Sequence, residues 1–412
     1  MKTNPQIVII GSALSGNKGA AAMLESAVQT LSERYADPKF TLLSMYPAED
    51  RLQNPYKNLD IVDASPLMLG VGINSWALVH RVLPFARNVI HENSPAVRAL
   101  KGADILLDQG GITFVDGREK FLLYNVASIL PAINLGVPVV KCAQALGSFH
   151  NPINKWAAKT YLPKMAAIVS RGAVTHEYLA GLNLRNVTEG ADYAFLLDVT
   201  EDDKKSAEAK FDVKFFAKGK VVGVSPSVVM RKKVDAAGGS YVREIVEFID
   251  YVTAKGQKVA LIPHSVRTGT DKTHNNDLPL CQEVYAKLAH KDKVLFVEQE
   301  LGSQELRYII GRCDLFVASR FHAMISSLAM GVPTLVIGWS HKYKEVLDMF
   351  GLSKWAFGQD KLTQEYLRTQ FDTLDAEADE VQRKITTALP EVKKKAYRQV
   401  DVIVDVIEAR GK

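Results

Sequence analysis

The sequence predicts an α/β protein built from two Rossmann-like units. Two observations carry this: short β-branched runs alternate with helix-length segments, and the alternation restarts after Asp192. The length agrees, because 412 residues exceed one ordinary core and suit two domains of roughly 200 residues each.

In chain order, strands are expected at residues 6–10, 40–45, 59–62, 104–107, 138–142 and 167–170, apolar runs of the kind a parallel sheet buries on both faces. Residues 18–34 read as a helix with Met23, Leu24, Ala27, Val28 and Leu31 along one side. Residues 66–84 are apolar in part, but Asn74, His80 and Arg81 interrupt them well short of a membrane-spanning run. They read as a core or interface helix, with contact to a membrane surface as the other reading. Residues 198–218, rich in lysine and acid, read as a surface helix plus the interdomain connection. A second series of strands follows at 220–225, 258–262, 293–297, 314–318 and 334–338. Residues 376–389 and 391–410 close the chain with Val392, Ala396, Val400, Ile403 and Ile407 at helical spacing, and Pro390 is expected to kink or break that helix. The expected domains are therefore 1–197, 198–375 and a helical segment 376–412. Two facing Rossmann-like domains with a C-terminal helix describe the GT-B architecture. Fold alone names no reaction.

Composition narrows the classes. With 47% apolar residues, 24% charged residues and 16 prolines the chain reads as globular, and no solenoid repeat is visible. A formal charge of +5 with no long basic run gives no nucleic-acid stripe, and an anionic small molecule suffices as partner. Cys142, Cys281 and Cys313 are widely spaced, so neither a disulfide framework nor a thiolate metal site is expected and a reducing, cytoplasmic setting fits. The start enters a β-type run at once and has no signal-peptide pattern.

Ligands of open α/β sheets bind beyond the carboxyl ends of the strands, so the residues just after each strand are the candidates. The first strand leads into Gly11 to Gly19, a glycine-bearing loop at a helix N-terminus, where free N–H groups favour an anion. Its spacing is not that of a dinucleotide fingerprint, and a tight βα turn with no ligand reads equally well. After the fourth strand, Asp108-Gln109-Gly110-Gly111 repeats the theme, with Asp108 also readable as a turn residue. Gln144 and Arg171 follow the next two strands.

The sharpest feature is Ser319-Arg320-Phe321-His322, where a buried strand turns into a helix carrying Met324, Ile325 and Leu328. A guanidinium at such a turn can hold a carboxylate or phosphate bidentately, and the imidazole can move a proton near neutral pH. A lone histidine here would read as a helix-start residue; Arg320 beside it favours a site. Lys342, after the next strand, is a second cation at the same edge or else an exposed helix-start lysine. His264 and Arg267 follow the strand at 258–262. His264, His274 and Asp277 fit no zinc spacing, and no metal is expected.

With these residues in hand, the chain resembles the polysaccharide pyruvyl transferase family from residue 11 to about residue 352. The resemblance rests on Gly16-Asn17-Lys18-Gly19, on the segment from Ser170-Arg171 to Asp192, and on Ser319-Arg320-Phe321-His322 with Gly331-Val332-Pro333 and Lys342. The last is the most specific. Ala20 stands where many members have an aspartate, so no acidic role carries over to that position.

The resemblance implies a GT-B fold, phosphoenolpyruvate as donor, and a pyruvate ketal formed on a sugar of a cell-surface polysaccharide or its precursor, with a sugar, oligosaccharide or lipid-linked glycan as acceptor on the 1–197 side and the donor on the 198–375 side. No metal or nucleotide cofactor is implied. Arg320 and His322 would be catalytic within a donor site that includes Ser319, Lys342 and His264. The sugar is expected toward the first domain, near Asn17, Gly19, Gln109, Gly110, Gln144 and Arg171, with Trp339 stacking on it. The competing readings are a nucleotide-sugar-dependent glycosyltransferase of the same fold and a non-catalytic glycan-binding protein.

Overall fold

The structure, a computed structural model, describes residues 3–267, 275–338 and 341–410, without the side chain at 341. The chain divides into two compact units. One comprises Met1–Ser15, Met23–Leu197 and Lys393–Lys412; the other comprises Gly16–Ala22 and Asp198–Val392.

The strands of the first part of the chain are β1 (Gln6–Ile10), β2 (Gly16–Asn17), β3 (Lys39–Ser44), β4 (Leu59–Asp63), β5 (Ile105–Asp108), β6 (Ile112–Val115), β7 (Val139–Gly147), β8 (Ala167–Ser170) and β9 (Val187–Glu189). In the first unit they order as β4-β3-β1-β5-β7-β8-β9, all parallel, with β6 beside the end of β7. The apolar runs expected as strands are strands, because a parallel sheet with helices on both faces buries both sides of its central strands; Ile7, Val8, Ile9 and Ile10 are all buried. The order reverses between β1 and β5, the switch point at which such sheets open a crevice. There the chain turns at Gly11, with φ +83°, and a Cβ at Gly11 would lie 2.6 Å from the Gly110 backbone nitrogen.

The second unit repeats the plan with β10 (Val221–Ser225), β11 (Lys258–Leu261), β12 (Ser265–Val266), β13 (Val294–Phe296), β14 (Leu315–Ala318), β15 (Thr334–Ile337) and β16 (Ala356–Phe357). Its sheet runs β13-β11-β10-β14-β15-β16, parallel throughout, with the switch point between β10 and β14. Outside it, β12 pairs antiparallel with β2, Ser265 opposite Asn17 and Val266 opposite Gly16. That pairing takes Gly16–Ala22 into this unit, although residues 1–197 were expected in one domain.

The helix Lys18–Arg34 has the expected bounds, and its expected inner face is buried. Residues 198–218 contain the helix Glu201–Lys210, held at its start by a capping box of Thr200 and Asp203. Of the kink or break expected at Pro390, the break is absent: the helix Ala378–Arg410 continues through it. Pro390 is exposed, so water can meet the carbonyl it leaves without an N–H, while Val381, Ile385, Val392, Ala396, Val400, Ile403 and Ile407 stay buried along the helix.

Candidate functional site

The carboxyl edge of β14 carries the pair singled out in the sequence. Ala318 ends the strand, Arg320 is the extended N-cap residue, and the helix Phe321–Ala329 begins with His322 in its first turn. The register follows from Phe321, Met324, Ile325 and Leu328, all buried against the sheet, which leaves Arg320 and His322 half-buried at the end of the strand. This is the switch point of the sheet. The Ser225 hydroxyl, at the end of the neighbouring β10, is buried there without a hydrogen-bond partner among the described residues.

Arg320 is locked. Its Nε donates to Asp277 Oδ2 at 2.7 Å and its Nη2 to Asp277 Oδ1 at 2.6 Å. Asp277 is fully buried, and its carboxylate also accepts the backbone N–H groups of Val228 and Ser265. The guanidinium expected to hold an anion therefore has its side-on edge occupied by protein. What remains is the end-on edge, formed by one N–H of Nη1 and the second N–H of Nη2, on a side chain 16% exposed.

The segment Gly16–Gly19 lies against the same corner. A Cβ on Gly19 would fall 2.1 Å from His322 Nδ1, and one on Gly16 would fall 2.5 Å from the Arg267 guanidinium carbon. Only bare backbone fits, so this loop is the wall that the imidazole rests on. Asn17 Oδ1 accepts from the Gly19 N–H at 3.1 Å, and Lys18, nearly buried, directs Nζ at Glu300 at 3.5 Å. Asn17 and Gly19, expected on the acceptor side with the first domain, are thus brought to Ser265 and His322 in the second unit.

His264 is buried beside these groups. Burial holds its imidazole well below the usual histidine range, and the positive charges of His322, Arg320 and Arg307 push in the same direction. Lys342 places Nζ 4.6 Å from the centre of the Phe321 ring and 5.3 Å from that of Tyr343, a cation over the aromatic start of the His322 helix. The Ser319 hydroxyl accepts from Tyr241 at 2.7 Å, and its carbonyl accepts from Tyr343 at 3.3 Å. Trp339 and His274 lie outside the described residues. Among the described residues no three His, Cys, Asp or Glu side chains group as a metal site.

The candidates of the first unit have a different character. Gln144 is fully buried: its Nε2 donates to the carbonyl and carboxylate of Asp108, and its Oε1 accepts from Thr113. Gln109 is equally buried, accepting from Ser12 and donating to the carbonyl of Met23. Contrary to the expectation that they face a sugar, both amides are engaged at each end and brace the sheet edge. Arg171 is buried in an ion pair with Asp192 at 3.5 Å. Gly110 closes the turn by donating to Asp108. Lys141, buried in the middle of β7, donates to the other oxygen of Asp108 at 2.5 Å.

Sequence reasoning missed Lys141, Arg307 and the role of Asp277. Lys141 had a signal, since a charged residue between Val140 and Cys142 in a buried strand requires a partner. Arg307 had a weaker one, a cation amid Leu306, Ile309 and Ile310. For Asp277 nothing in the linear order points to Arg320, far along the chain.

Residues 17–341 match the family model of polysaccharide pyruvyl transferases. The amylovoran biosynthesis protein AmsJ of Erwinia amylovora is 23% identical over 370 residues, covering 85% of this chain and 87% of that protein. Among solved structures, a putative UDP-N-acetylglucosamine 2-epimerase from Listeria monocytogenes superposes with a TM-score of 0.61 at 12% identity, covering 99% of this chain and 98% of that one. Anabaena Alr3699/HepE in complex with UDP and glucose gives a TM-score of 0.56 at 12% identity, covering 98% and 100%. At these identities the likeness shows the fold, which is of the GT-B type.

Proposed function

The chain belongs to the polysaccharide pyruvyl transferase family, and on that premise we propose that it transfers a pyruvyl group from phosphoenolpyruvate to a sugar, forming a ketal on a polysaccharide or its precursor. The observation that carries this reading is the Arg320 guanidinium, held side-on by Asp277 with its end-on edge open at the switch point beside His322. A small donor carrying both a carboxylate and a phosphate matches that edge, with the start of the helix Lys18–Arg34 adding favourable potential.

The reaction balances as an addition followed by a displacement. One sugar hydroxyl attacks the central carbon of the donor while the methylene carbon takes a proton and becomes methyl. The second hydroxyl then displaces inorganic phosphate, and its proton leaves with the phosphate. His322 supplies and recovers the proton; Arg320 orients the donor and stabilises the charge that develops on phosphate. Ser319, Lys342 and His264 complete the donor site, His264 as a neutral buried neighbour. The chemistry calls for no metal or nucleotide cofactor. The acceptor is a sugar, oligosaccharide or lipid-linked glycan, and the setting is cytoplasmic, where phosphoenolpyruvate is made. Gly110 and Arg171, in the first unit, stay as acceptor candidates, and Trp339, in the second, stays as a stacking residue.

The test is turnover of phosphoenolpyruvate with a panel of hexosides, read as phosphate release and as pyruvyl addition by mass. Release of a nucleoside diphosphate from nucleotide sugars would establish the glycosyltransferase reading instead. Binding without turnover would leave a glycan-binding protein. Arg320→Lys should abolish most turnover, since a point charge keeps neither the Asp277 fork nor the end-on edge.

A further inference from the structure

Met68–Ile73 is a π-helical turn that continues into the helix Asn74–Val82; Pro84 breaks the run, and the helix Arg87–Asn93 follows. The inner face of this segment does what an amphipathic helix should, with Leu69, Ile73, Ala77 and Ile90 in the core of the first unit. Its outer face does not. Leu67, Val71, Leu78, Val82, Phe85 and Val89 are each more than half exposed. Contiguous exposed apolar patches of this kind mark protein or membrane interaction surfaces.

The charges indicate which partner. Between Asp63 and Asp104 the segment carries Arg81, Arg87, Arg98 and Lys101 and a single acid, Glu92. Arg81 and Arg87 are exposed within the apolar face. The helix Leu122–Ala127 packs on the Met68–Ile73 turn and extends the patch, with Arg118 and Lys120 lying over the exposed Phe121 ring just before it. Trp76, partly exposed, lines a cavity of about 350 Å³ with Met68 and Ile61 at the same place. A second copy meeting this patch through a twofold axis would set these cations against their own images, which is unfavourable. A surface of anionic headgroups over hydrocarbon matches both halves of the pattern. No helix among the described residues is long and apolar enough to cross a membrane.

We propose that the first unit docks on anionic lipid bilayers through the outer face of residues 67–89, which lies in the plane of the interface with Arg81 and Arg87 at headgroup level. The inference goes beyond the transfer reaction and stands without it.

Co-sedimentation of the full chain with vesicles tests it, using phosphatidylcholine alone and phosphatidylcholine with one third phosphatidylglycerol. Binding is expected on the anionic vesicles, weak on the neutral ones and reduced by salt, with Trp76 contributing a blue-shifted emission. Val82→Glu and Phe85→Glu should each lower partitioning by about tenfold or more, at unchanged thermal stability because both side chains are exposed. Arg81→Glu should lower it on anionic vesicles only, and Lys205→Glu, exposed in the second unit, should not lower it. No binding at low salt, or binding unaffected by Phe85→Glu, would overturn the proposal. So would a dimer in light scattering that Phe85→Glu dissociates, which would assign the patch to a second copy.

Discussion

Asp277 and Arg320, far apart in sequence, form a side-on ion pair in which each carboxylate oxygen meets one guanidinium nitrogen, at 2.6 and 2.7 Å. The pair sets which edge of the guanidinium faces outward, so Asp277 would control the donor contact proposed for Arg320.

Asp277→Asn therefore removes the countercharge while keeping the shape. Breaking a buried pair from one side costs about 3–5 kcal/mol, and the partial exposure of Arg320 lowers the expectation to about 2–3. Urea unfolding should show this loss, and phosphoenolpyruvate turnover should fall at least about tenfold as Arg320 loses its orientation. A variant of wild-type stability and turnover would refute the role.

Gly19→Ala places a methyl group 2.1 Å from where His322 Nδ1 now lies, so the imidazole must move. Displacements of this size at a reacting group cost on the order of a hundredfold in rate. The loss should appear in kcat more than in KM. Gly102→Ala, whose Cβ would meet open space, is the matched control and should leave the kinetics unchanged.

His264 and His80 share a sign. Burial is the main cause lowering both, reinforced at His264 by His322, Arg320 and Arg307 and at His80 by His91, Arg87 and Lys101. The unfolded chain then binds more protons than the folded one below the ordinary histidine range, so stability is fully present above about pH 6.5 and declines as pH falls beneath it. Thermal melts at neutral and acid pH should show the decline, and His264→Asn should flatten it. A steeper decline in that variant would contradict the assignment.

Lys141→Met strands Asp108 in the core of the first unit. Both side chains are essentially buried, so a loss of about 3–5 kcal/mol is expected. Adding Asp108→Asn should recover part of it, giving a favourable coupling of about 1–3 kcal/mol in a double-mutant cycle. Additive losses would show that the pair does not act as one.

The alternation of apolar runs determined the two sheets, because strands buried on both faces leave a continuous hydrophobic signature that no neighbour is needed to read. The same logic placed Arg320 and His322 just beyond a strand, where a polar residue meets the carboxyl edge. Weak signals were lost: β2 and β12 are two residues long and exist only because they pair with each other, and that pairing moved Asn17 and Gly19 to the second unit. Pro390 likewise failed to end a helix whose packing outweighs one missing N–H. Gln109 and Gln144 looked like ligand contacts because a sequence shows polarity but not burial. Only the tertiary structure could decide that their amides are satisfied inside, and that Asp277 takes one side of Arg320. Such choices depend on distances between residues remote along the chain, to which periodicity along a single strand or helix carries no information.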